Sequence, residues 1–147
     1  MSTYNDNTTN EHNSKIMVLD DDFDIATLAK MTLQRNGFKN VFAFTDAGLA
    51  LEHFRLNHRT YSLVISDIRM PNMNGYEFIK NICTIKPEIN VLLMTAFDVN
   101  EDLLIMKKMY SINIRGIIQK PVSPKKLAKI VATTDTSKCL DSPDFLH

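Results

Sequence analysis

At 147 residues, with 44% hydrophobic and 23% charged positions, the chain has the size and composition of one globular domain able to bury a core. Lys plus Arg and Asp plus Glu number 17 each, so the formal net charge is zero; that excludes the basic footprint of a nucleic-acid binder and a polybasic membrane anchor. No basic start precedes an apolar run and no apolar stretch reaches bilayer length, while Cys83 and Cys139 lie far apart and form no CxxC pair, so a cytoplasmic protein with free thiols is expected.

Residues 1–14 are almost all polar and predict a disordered tail. Ile16 to Leu19 is a continuous apolar run, as in a strand covered on both faces. Ile25, Leu28, Ala29 and Thr32 then recur at helical spacing, and Asn36-Gly37 closes that helix. Val41 to Phe44 is a second strand. Thr45 or Asp46 caps a second helix, whose core face is expected to carry Leu49, Phe54 and Leu56 or their neighbours. Leu63 to Ile65 is a third strand, and the segment from Met70 to Gly75 has loop chemistry. Tyr76 to Ile85 predicts a third helix ended by Pro87, and Val91 to Met94 a fourth strand. A fourth helix is expected over 99–110 and a fifth strand over 116–119. A last helix spans 124–131, capped by Ser123 with Pro124 at its first position. Residues 133–147 form a second polar tail without an output domain, in which Phe145 and Leu146 are candidates to dock elsewhere.

Five βα units in alternation predict a doubly wound parallel sheet with right-handed crossovers, occupying residues 15–132. In such sheets function sits beyond the carboxyl ends of the strands. Asp20, Asp21 and Asp22 follow strand one, Asp67 strand three, Thr95 strand four, and Lys120 then Pro121 strand five. Carboxylates converging on one pocket repel each other unless a cation compensates. Mg²⁺ suits that role, since it takes oxygen ligands from one or two carboxylates and a phosphate. A lysine opposite holds a phosphoryl oxygen and a threonine hydroxyl donates to a second. Asp67 is then placed as a carboxylate nucleophile. Singly, each residue has a plainer reading as a helix cap, a turn or a solvated loop position; Asp22 or Asp24 is expected to cap the first helix.

The segments MVLDDD at Met17 to Asp22, LVISDIRMPNMNG at Leu63 to Gly75, VLLMTA at Val91 to Ala96 and IIQKP at Ile117 to Pro121 resemble the response-regulator receiver family of two-component and phosphorelay signalling. Pro71 and Gly75 fall at the family's offsets from the acid, and Asp67 to Thr95 is the family's 28 residues. The resemblance implies a flavodoxin-like strand order 2-1-3-4-5. It implies Asp67 as phosphoacceptor, and Mg²⁺ held by Asp21, Asp67 and the Arg69 backbone carbonyl, with Asp20 assisting through water. Thr95 would be the switch hydroxyl, Lys120 a phosphoryl contact, and Pro121 would follow a cis peptide bond. The donor would be a histidine kinase or histidine-phosphotransfer protein.

Three departures stand out. Ile117 occupies the position where receivers often carry Tyr or Phe. Thr95 to Lys120 spans 25 residues, longer than is common, which predicts an extended fourth helix or a longer loop. Arg69, two residues after the acceptor, either overhangs the site or is solvated. Output is expected through contacts with a downstream protein or onward phosphotransfer. On the helix over 99–110, Ile105 and Met109 widen the apolar arc; they either pack under the following loop or support a homodimer through the fourth helix, fifth strand and last helix. Three rival readings are a receiver-shaped module that binds without phosphorylation, a haloacid-dehalogenase-type phosphatase using Asp20-x-Asp22, and a flavodoxin-type carrier. The phosphatase lacks an acid-bearing strand after the lysine, and three aspartates after strand one would repel a carried phosphate.

Overall fold

The structure is a computed structural model that describes residues 14–68, 70, 74–96 and 114–135. Five strands, β1 (Lys15–Leu19), β2 (Val41–Phe44), β3 (Tyr61–Asp67), β4 (Asn90–Thr95) and β5 (Ile114–Gln119), form one parallel sheet in the order β2-β1-β3-β4-β5. The described helices are α1 (Phe23–Arg35), α2 (Ala47–Asn57), α3 (Gly75–Ile85) and α4 (Pro124–Asp135), with a single 3-10 turn at His58–Thr60.

The apolar runs alternate between two cores. Ile16, Val18, Leu63, Ile65, Leu92 and Met94 pack with Ala29 and Leu33 of α1 and Leu127 and Val131 of α4. Met17, Leu19, Val64, Val91 and Leu93 pack with Phe54 of α2 and with Phe78, Ile79 and Ile82 of α3. Both faces are therefore covered, which is why the strands read as unbroken hydrophobic runs. The chain leaves β1 toward β2 on one side and returns to β3 on the other. That reversal opens the crevice between the carboxyl ends of β1 and β3.

Local signals fix the helix ends. Asp22 Oδ1 accepts from the Asp24 and Ile25 N–H groups at 2.9 and 3.2 Å, so Asp22 rather than Asp24 is the cap. Asp46, not Thr45, caps α2 through the Gly48 N–H, and Ser123 Oγ accepts from the Lys126 N–H at 3.1 Å. Gly37 takes φ +96° just beyond α1, where a side chain would be strained.

The core face of α2 corrects the expectation for Leu49 and Leu56, which are 66% and 75% exposed. Ala47, Ala50 and Phe54 form the buried stripe instead, because positions 47, 50 and 54 share one helical face and the leucines lie off it. Leu28 is likewise 54% exposed, while Ala26, Ala29, Thr32 and Leu33 carry the buried face of α1. The last helix runs to Asp135 rather than ending at residue 131, so the first residues expected as tail are helical. Val131 and Thr134 are buried, and Thr134 Oγ1 donates to the Ile130 carbonyl at 2.8 Å. The helix expected over 99–110, Cys139, Phe145 and Leu146 lie outside the described residues.

Candidate functional site

β1 delivers Asp20 into the crevice, fully buried, and Asp21 at its exposed rim. Asp20 Oδ1 accepts the backbone N–H of Asp22 at 2.9 Å. The residue that caps α1 thus also orients the first acid. Asp67 is the last residue of β3 and is 5% exposed. Carboxylate oxygens of Asp20, Asp21 and Asp67 all lie within 4.8 Å of one another.

Lys120 follows β5 and reaches across the sheet edge. Its Nζ lies 2.6 Å from Asp20 Oδ2 and 3.1 Å from Asp67 Oδ2. The second contact is a hydrogen bond. The first is a short, buried ion pair. The Lys120 N–H donates to the Thr95 carbonyl at 2.7 Å, joining the ends of β4 and β5, and the Lys120–Pro121 peptide is cis. Thr95 is buried at the last position of β4.

Burial holds the carboxyls of Asp20 and Asp67 above the usual carboxylate range. Lys120 draws both back down, and a neighbouring acid, Asp67 for Asp20 and Asp21 for Asp67, pushes up again. Burial alone would lower the Lys120 ammonium, but its bonds and charge contacts with the two aspartates outweigh it, and its net shift is upward. Among the described residues, three acids thus share one cation. The all-oxygen donors and the excess negative charge of the described cluster fit a hard divalent ion such as Mg²⁺.

The structure brings together Asp20, Asp21, Asp67, Thr95 and Lys120. Arg69 and Pro71 lie outside the described residues. Ile117 is half-buried against the core on the α2 and α3 side. Gly75 has a physical reason at its position. A Cβ there would come within 2.6 Å of the Ile68 Cα and strike the Asp67 carbonyl, and the Gly75 N–H donates to the Ile68 carbonyl at 2.8 Å. The loop after the acid therefore folds back onto the acid's own backbone. Ser66, fully buried, donates its hydroxyl to the Asp67 carbonyl at 2.9 Å. Sequence reasoning passed over it, because a lone serine inside a strand carries no signal of its own.

Such a sheet, with acids, a threonine and a lysine at its switch edge, is a doubly wound α/β module with a charged crevice beyond its carboxyl ends. The response regulator receiver domain family matches residues 16–132, and the chain belongs to it. Transcriptional regulatory protein ZraR of Klebsiella oxytoca is 41% identical over 83 residues, 56% of this chain and 18% of that protein. The putative two-component response regulator ARR21 of Arabidopsis thaliana is 31% identical over 115 residues, 78% of this chain and 18% of that protein. The chain thus matches less than a fifth of the length of either relative. A response regulator receiver domain protein from Clostridium thermocellum superposes with a TM-score of 0.73 at 25% identity, covering 84% of this chain and 94% of that one. Chemotaxis protein CheY4 of Vibrio cholerae gives 0.71 at 25%, covering 82% and 98%. Domains of this family are signalling modules rather than classical enzymes, and they interact with histidine kinases and phosphotransfer proteins. Among the described residues no helix is long and apolar enough to cross a membrane.

Proposed function

We propose that the chain accepts a phosphoryl group on Asp67 from a histidine kinase or histidine-phosphotransfer protein, in the cytoplasm, and signals through protein contacts or onward phosphotransfer. The observation that carries this is the Asp67 carboxylate, buried at the end of β3, within 3.1 Å of Lys120 and among two further acids. An Asp67 oxygen forms the new bond to phosphorus, the bond from phosphorus to the donor imidazole nitrogen breaks, and that nitrogen keeps the electron pair. Lys120 then has a phosphoryl oxygen to hold in place of the carboxylate oxygen it holds now. Thr95, buried at the end of β4, would offer its hydroxyl to a second phosphoryl oxygen. Asp20, Asp21, Asp67 and the Arg69 carbonyl would hold Mg²⁺, which when bound neutralises charge on the transferring group. Gly75 and the cis Lys120–Pro121 peptide shape the backbone around the acceptor, and Pro71 is proposed as a further structural position. The added negative charge reorganises the hydroxyl and lysine contacts, and the change leaves through a downstream protein or onward transfer. Pairing of two copies through the segment 99–110, β5 and α4 is a further proposal; a monomer in sedimentation with and without a phosphoryl mimic would oppose it.

A second reading has one observation in its favour. Ile117, half-buried and aliphatic, stands where an aromatic readout is usual, which suits a module that binds without phosphorylation. Intact-mass spectrometry after incubation with acetyl phosphate and Mg²⁺ separates the two. The receiver reading expects one phosphoryl adduct, lost with Asp67→Asn and lost in EDTA. No adduct together with no Mg²⁺ binding by calorimetry would leave the binding module.

A further inference from the structure

On the α1 and α4 face, the two helices leave a groove of about 290 Å³ between them, floored by Met94 and walled by Ile25, Leu28, Val122, Pro124 and Leu127. It runs up to Lys120 and Ala96, beside the phosphoacceptor edge. Its lining is almost wholly apolar, and Leu28 stands 54% exposed on its rim. The volume falls at or below the range of about 300–1,000 Å³ usual for small-molecule and cofactor sites. It suits one or two apolar side chains.

The chain itself supplies a candidate occupant. α4, which walls the groove, ends at Asp135, and twelve residues follow, including Leu140, Phe145 and Leu146. From Asp135 back to the level of Leu127 is about 12 Å at 1.5 Å per helical residue. Ten extended residues reach roughly 33 Å, so both Leu140 and Phe145 can return to the groove. The same helix carries three exposed lysines, Lys125, Lys126 and Lys129, and the segment carries Asp141 and Asp144 between its apolar residues. Asp22 and Asp24, exposed at the start of α1, would repel those acids, so the segment's polar side is directed toward α4. A short tether gives effective concentrations in the millimolar range, and even a weak contact is then populated.

We propose that segment 140–146 of this chain docks in the groove between α1 and α4, placing Phe145 and Leu146 against Leu28 and Leu127. Docked there, the segment competes with any protein that uses the same groove. The inference goes beyond the phosphoacceptor reading and stands without it, since its test needs no phosphoryl transfer.

The test uses the full chain with a nitroxide on Cys139, after Cys83→Ala leaves that as the single thiol. The expected result is selective loss of amide signal at Leu28, Val122 and Leu127, recovered on reduction of the nitroxide and absent with Phe145→Asp plus Leu146→Asp. Broadening confined to the last turn of α4, or unchanged by the double substitution, overturns the proposal. Broadening at these positions when the nitroxide is carried only by isotopically silent copies assigns the occupant to a second molecule and also overturns it. A label-free comparison keeps the native Cys83. Phe145→Asp plus Leu146→Asp should shift the methyl resonances of Ile25, Leu28 and Leu127, and unchanged methyl positions count against docking.

Discussion

Two half-buried lysines sit at opposite ends of β3, and they are held in opposite ways. Lys86, the C-cap of α3, donates to the carbonyls of His58 and Tyr61 at 3.0 and 2.6 Å, closing the turn that feeds the start of the strand. Its pKa is lowered by burial. Lys120 meets the carboxylates of Asp20 and Asp67 at the strand's far end, and its pKa is raised. Nearby, the same contrast holds for neutral groups: His53 Nε2 and the Tyr61 hydroxyl form a 2.6 Å hydrogen bond beneath Phe42 and Phe44. At the N-terminal end the lysine meets neutral carbonyl acceptors. The C-terminal end keeps an excess of buried negative charge. Buried charge left in excess in this way is the electrostatic condition expected of the proposed cation and phosphoryl site.

The largest effect that would break this contrast is on stability against pH. Lys120→Met leaves Asp20 and Asp67 buried without their cation and should cost about 3 kcal/mol at pH 8 in EDTA. Both carboxyls already titrate above their ordinary range, so the folded state holds protons that the unfolded state releases. Stability from such groups is present at low pH and lost as pH rises through the folded pKa. The deficit of Lys120→Met should therefore shrink as pH falls from 8 to 5. Lys86→Met should cost about 1–2 kcal/mol for its two carbonyl bonds, and that cost should stay flat, since carbonyls do not titrate. Urea unfolding read as a difference from wild type removes the opposing contribution of His53, whose pKa is lowered by burial. Equal pH slopes for the two variants would dissolve the distinction.

Gly75→Ala comes next. The added methyl meets the Asp67 carbonyl and the Ile68 backbone, neither of which is a flexible side-chain end. A loss of about 2 kcal/mol is expected, together with weaker Mg²⁺ binding by calorimetry, because the clash falls on the acceptor's own peptide. Gly37→Ala, at φ +96° in open space, should cost about 1 kcal/mol and leave Mg²⁺ affinity unchanged.

The strands and the acceptor edge were legible in the sequence for a common reason. Strands buried on both faces read as apolar runs, and residues that follow such runs necessarily fall on one edge. Gly75 was found only through its offset in the resemblance, because no pattern in one sequence shows which backbone atoms a Cβ would meet. The core faces of α1 and α2 were less legible. Leu28, Leu49 and Leu56 are more hydrophobic than Ala29, Ala47 and Ala50, yet the alanines are buried. Side-chain hydrophobicity ranks residues, but a helix lying close to a sheet is positioned by its small ones. Lys86 and Ser66 were invisible for a different reason, since each acts on backbone carbonyls.

Asp67→Asn sharpens the comparison with a gain rather than a loss. In EDTA, charge on Asp67 is a net cost to the fold, because burial raises its pKa. The amide removes that cost while Lys120 retains Asp20 at 2.6 Å. The variant should be more stable by about 1 kcal/mol. Saturating Mg²⁺ should erase the difference by stabilising the wild type alone. A destabilised variant would mean that the Lys120 to Asp67 bond outweighs the burial of the charge.

The smallest effect separates two aspartate caps of similar appearance. Asp22 accepts two N–H groups, at 2.9 and 3.2 Å, and its own N–H fixes Asp20 Oδ1; Asp46 accepts one, at 3.3 Å. Asp22→Ala should cost about 1 kcal/mol and Asp46→Ala about half that. Both can be read in urea. The sharper readout is Mg²⁺ affinity. If α1 is stitched to the site through the Asp22 backbone, loosening the start of the helix should weaken Mg²⁺ binding a few-fold in Asp22→Ala. Asp46→Ala, at the head of a helix whose cap touches no site residue, should bind as wild type. Equal affinities would make Asp22 a helix cap alone and confine the electrostatic asymmetry of the sheet to Asp20, Asp21, Asp67 and Lys120.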